Sequence, residues 1–132
     1  MIMTFGYKNA ANAYKTNSVN YASKEQLLLM LVDGAVKFAE IARQGMIDNQ
    51  IQKAHNNIIK TQNIFFELIA TLDVSAAGEW GSKLMSIYQF IVDRLGQANI
   101  KKSIEIMNEV IPLIQEVRDT WYEASKISKV AK

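Results

Sequence analysis

The chain contains no cysteine. That removes a disulfide framework and any thiolate-based metal or redox site. One proline and six glycines among 132 residues leave too little turn chemistry for an all-β protein. The single histidine, His55, supports zinc binding poorly. It also rules out the paired Glu-x-x-His motifs of di-iron bundles, so packing or capping is its ordinary role. Neither GxxxxGK[ST] nor GxGxxG occurs, and the carboxylates are scattered, with no pair to arrange as in a glycosidase. The expectation is a protein with no catalytic residue, no metal and no cofactor.

Long apolar runs are missing as well. The longest, Leu27 to Val32, falls far short of the roughly 20 residues that a membrane span needs. The start of the chain lacks a basic segment followed by an apolar stretch. A cytoplasmic protein without membrane insertion is expected. Fifteen Lys and Arg face thirteen Asp and Glu, a net charge of +2, and no basic patch suggests a nucleic-acid partner. Only Lys126, Lys129 and Lys132 gather, read as a solvated basic tail over 126–132.

What is present is helical periodicity. Residues 1–22 are rich in Asn, Ala and Tyr, with little to form a core, and read as a mobile arm with at most one short helix. Ser23 and Gln26 have the spacing of a capping box and open a first helix that runs to about Asp48. Leu27, Leu31, Gly34, Phe38, Ile41, Ala42 and Gly45 share one side of it, and Gly34 suggests a close helix approach. A second helix spans about Ile51 to Leu72, with Ile58, Gln62, Phe65 and Ile69 in its stripe. "TLDVSAAGE" breaks the pattern. A third helix covers about Glu79 to Gln97, on Trp80, Leu84, Ile87, Ile91 and Leu95, with Asn99 as its stop. A fourth covers about Lys101 to Ser125, on Ile104, Met107, Ile111, Ile114 and Trp121, and Pro112 should kink or divide it. Four such helices with short connections over 23–125 predict an all-α fold, an antiparallel up-down four-helix bundle.

The first helix carries more apolar surface than one stripe. At helical phase, Leu29, Val32 and Val36 fall on the far side of the cylinder from the group that starts at Leu27. Ile64 and Leu68 lie off the second helix's stripe, and Met85 and Val92 off the third's. Two readings stand. One is an apolar partner surface made of Leu29, Val32, Val36, Ile64, Leu68, Met85 and Val92, suited to an amphipathic helix laid in a groove. The other is ordinary core in a bundle where one helix is central. A partner surface could equally serve a scaffold or a dimer.

"YASKEQLLLMLVDGA" resembles the flagellar secretion chaperones of the FliS family, which typically read V-x-T-A-S-P-E-x-L-x-x-M-L-Y-D-G-A. Val19, Ala22, Ser23, Glu25, Leu27, Met30, Leu31, Asp33, Gly34 and Ala35 match. Tyr14 matches an upstream family tyrosine. "TQNIFFEL" is similar to A-Q-x-I-x-x-E-L, "LDVSAAGE" to the family's Leu-Asp…Gly-Glu turn, and "LMSIYQFIVDRLGQAN" to L-x-x-L-Y-x-x-x-x-x-x-L-x-x-A-N. Trp121 fits a C-terminal tryptophan. Lys24, Tyr21, Val32 and Thr61 depart from the pattern. The resemblance covers about residues 7–125. It implies a cytoplasmic, non-enzymatic bundle that binds the C-terminal segment of flagellin, holds it unpolymerised and brings it to the flagellar export gate. It also implies an N-terminal arm, with Tyr7 and Tyr14, lying over part of the client groove. Free in solution, a monomer or weak dimer is expected.

Overall fold

A computed structural model describes residues 23–131, with side chains to residue 127. Tyr7 and Tyr14, and the arm they belong to, lie outside the described residues. Four helices follow one another: α1 (Lys24–Ile47), α2 (Ile51–Thr71), α3 (Val74–Lys101) and α4 (Ile104–Ala131). Each of α1–α2, α2–α3, α3–α4 and α4–α1 is in contact, so the helices close a ring with two-to-three-residue connections, as an up-down bundle requires.

The helix ends follow local chemistry. Ser23 accepts from the Gln26 amide at 3.1 Å while the Gln26 side chain accepts from the Ser23 amide at 3.0 Å, so both halves of the capping box form. Asp73 caps α3 by accepting from the Ala76 amide. After one turn, Gly78 takes φ 64° and ψ −136°, and the regular part of α3 begins at the sequence-expected Glu79. The expected stop at Asn99 is not used. α3 runs on to Lys101 and ends where Lys102 turns left-handed, at φ 49°. Ser103 then caps α4 by accepting from the Ile106 amide. α4 is not divided at Pro112. Pro112 and Asn108 are both exposed, which places the lost Pro112 helical bond on the solvent side of α4. α4 also continues past the expected end at Ser125 to Ala131, so residues 126–131 are helical backbone.

The core corrects the two-stripe reading of α1. Val32, Ala35, Val36, Ala39, Ala42 and Met46 are buried, Val32 to 1% exposure. At helical phase their mean direction falls between the two stripes. The stripes are the flanks of one broad buried arc. On one flank, Gly34 and Phe38 meet α2: a Cβ at Gly34 would sit 3.3 Å from Ile64 Cδ1, and Lys60 Nζ lies 5.3 Å from the Phe38 ring centre. On the other flank, Asp33 accepts from the Tyr122 hydroxyl at 2.6 Å and Arg43 donates to Asn108 at 2.9 Å, both on α4. A helix with two neighbours in a ring must bury both flanks, and that is why so many apolar residues surround it.

Candidate functional site: the open seam between α3 and α4

The expected partner residues divide on burial. Val32, Val36, Ile64 and Leu68 are core; the expectation that they stand outside the bundle stripe is corrected by the two-neighbour geometry. Ile64 faces α1, while Phe65 on the same helix faces α3. Leu29, Met85 and Val92 are partly exposed. They do not form one patch. Leu29 sits on the α4 side of α1, whereas Val92 sits on the α2 side of α3, where its carbonyl accepts from Gln62 Nε2 at 3.1 Å. α1 and α3 face each other across the diagonal of the ring.

Two residues expected in the core are instead open. Trp80 is 45% and Ile87 42% exposed, and Phe90, one turn further along, is 47% exposed. Trp80, Ile87 and Arg94 recur at seven-residue spacing on the flank of α3 that points at α4. The ends of this strip are pinned. Trp80 meets Trp121 edge-on, with ring centres 5.4 Å apart, and Arg94 forms an ion pair with Glu109. Between the pins Ile87 and Phe90 stand open, and on α4 the half-buried Leu113 falls in phase between Glu109 and Trp121. The α3–α4 contact is the sparsest of the four, which leaves an apolar strip in water between two fixed points. Single exposed apolar residues are ordinary, but a strip aligned along one seam marks a place where another helix can pack. Sequence reasoning missed Phe90. Its signal was present: it lies well off the phase of Leu84, Tyr88, Ile91 and Leu95.

Beneath the Trp80 pin lies Tyr88, 1% exposed. Phe65 packs edge-on against it at 5.7 Å, and its hydroxyl accepts from Trp121 Nε1 at 2.8 Å. Burial pushes the Tyr88 pKa up to about 12, against the opposing pull of the Trp121 hydrogen bond. At the surface, the hydrogen bond to Asp33 raises the pKa of Tyr122. His55 is exposed, with its Nδ1 3.0 Å from the Asn99 amide nitrogen. Among the described residues no group of three His, Asp or Glu side chains gathers as a metal site, and no helix is long and apolar enough to cross a membrane.

This is an all-α four-helix bundle with an exposed apolar strip on α3. The comparisons give that class a family. A model described as "Flagellar protein FliS" matches residues 7–128. The chain is 36% identical over 117 residues to a flagellar secretion chaperone FliS from Bacillus subtilis, covering 89% of this chain and 86% of that protein. It is 32% identical over 109 residues to the FliS of Escherichia coli, covering 82% and 80%. A crystal structure of a flagellar chaperone from bacteria shares the fold at a TM-score of 0.71 and 13% identity, over 90% of this chain and 97% of that one. The chain belongs to the FliS family of flagellar secretion chaperones.

Proposed function

We propose that this chaperone works in the cytoplasm, binds the C-terminal segment of flagellin, keeps it from polymerising and presents it to the export gate, with no catalytic step and no cofactor. The observation that carries the reading is the aligned strip of Trp80, Ile87 and Phe90 beside α4 in a chain of this family. A segment unable to bury its own apolar face would be disordered alone and gain helix on docking. Ile87 and Phe90 would take its apolar side, and Leu29, Met85 and Val92 would extend the contact around the bundle. Val32, Val36, Ile64 and Leu68 would act from beneath, holding the helices that carry that surface. Tyr7 and Tyr14 would cover part of the groove until the client displaces them. Calorimetry with a peptide from the flagellin C-terminus tests this. One-to-one binding with a gain in helicity is expected, and absence of binding at high micromolar peptide overturns it.

A further inference from the structure

A second apolar feature lies at the end of the bundle that holds the α2–α3 turn. A cleft of about 370 Å³ is lined by Leu28, Leu68, Leu72, Trp80, Tyr88 and Trp121, with Ala76 and Ala77 forming one wall. That wall is the single turn between Asp73 and Gly78. We propose that residues 74–77 are a hinged lid on this cleft, turning about Gly78 to expose or cover the aromatic cluster behind it.

Three observations carry the proposal. Gly78 holds φ 64° and ψ −136°, backbone that glycine adopts freely and other residues adopt at a cost. A Cβ there would meet nothing within 4 Å, so it is the backbone conformation, not side-chain space, that calls for glycine. Gly81 shows how the closed lid seats: a Cβ on it would lie 2.6 Å from Ala77 Cβ and 3.1 Å from the Val74 carbonyl oxygen. The missing side chain is the seat. Apart from the hydrogen bonds that Asp73 accepts from the Ala76 and Ala77 amides, the lid is lightly held. Ser75 and Ala76 are exposed, and Val74 and Ala77 only partly buried. Segments with so little buried area are the ones that open without global unfolding.

The lid does not depend on the client reading, and the protein carries its own reporters. Its only two tryptophans, Trp80 and Trp121, both line the cleft. In the intact protein, amides of residues 75–81 should exchange hydrogen at least about ten-fold faster than those of α3 between Leu84 and Leu95. Gly78→Ala penalises the closed backbone and Gly81→Ala blocks the seat, by unrelated means. Each should raise the open population by about ten-fold or more. Acrylamide should then quench tryptophan fluorescence more strongly, and anilinonaphthalene sulfonate should bind, with helicity retained. Exchange of 75–81 together with the core of α3 would overturn the lid. So would quenching left unchanged in both variants.

Discussion

The α1–α2 and α3–α4 seams are made from similar amphipathic helices, yet one is shut and the other stands partly open. Along α1–α2, small residues let the backbones approach. Gly45 lies so near α2 that a Cβ would be 3.0 Å from the Ala54 nitrogen, and Ala35, Ala39, Ala42 and Ala54 are buried. Along α3–α4, Trp121 meets Trp80 and donates to Tyr88, and Arg94 pairs with Glu109, while Ile87 and Phe90 stay exposed. Side-chain size distinguishes the two: glycine and alanine along α1–α2 permit close packing, whereas the exposed Trp80, Ile87 and Phe90 of α3 are bulky. The tight seam buries more of its apolar surface, and the open one leaves Ile87 and Phe90 exposed.

The largest expected effect breaks the shut seam. Ile64→Asp would bury a carboxylate against Gly34, with a loss on the order of 4–5 kcal/mol or outright unfolding in denaturant melts. A loss under about 1 kcal/mol would mean that this seam is not closed. Tyr88 sharpens the comparison through pH. Its folded-state pKa of about 12 lies above the ordinary 10.0, so its contribution is whole below pH 10 and is lost as pH rises toward 12. The loss is on the order of 2–3 kcal/mol. Tyr88→Phe should flatten that part of the stability–pH curve relative to the parent.

Glycines in the shut seam give the next effect. Gly45→Ala meets backbone and should cost about 1–3 kcal/mol in thermal melts. Gly34→Ala meets the flexible tip of Ile64 tightly and the Phe38 ring only at ordinary contact distance, and the gain of about 1 kcal/mol in helix propensity should leave it near neutral. Equal costs at the two positions would contradict the packing described for α1 and α2. Smallest is Ile87→Asp on the open seam, which should change folding stability by no more than about 0.5 kcal/mol. A loss comparable to that of Ile64→Asp would make the open seam part of the core.

The helices, their order and the Ser23 capping box were legible because periodicity and capping are local properties of sequence. Even the break at Gly78 was marked by "TLDVSAAGE". Which flank of a helix is covered was not legible, because that depends on how many neighbours it has. Leu29, Val32 and Val36 looked like a second surface only when α1 was assigned a single partner stripe; a ring gives it two neighbours and absorbs Val32 and Val36. The converse error befell Trp80 and Ile87. Their phase is nearly that of the core, but the spacing of α3 from α4 is set by tertiary contacts such as Trp80 on Trp121. Phe90 could have been found from phase alone.

Central to the proposed function is docking of the client on the open α3–α4 seam, with Leu29, Met85 and Val92 as outlying contacts. It is tested most directly by calorimetric titration of a flagellin C-terminal peptide into the parent protein and into Phe90→Asp, with melts of both recorded alongside. Phe90→Asp should melt as the parent does and bind at least about ten-fold more weakly, equivalent to about 1.4 kcal/mol. Equal affinity for the two proteins, with melting unchanged, would contradict it.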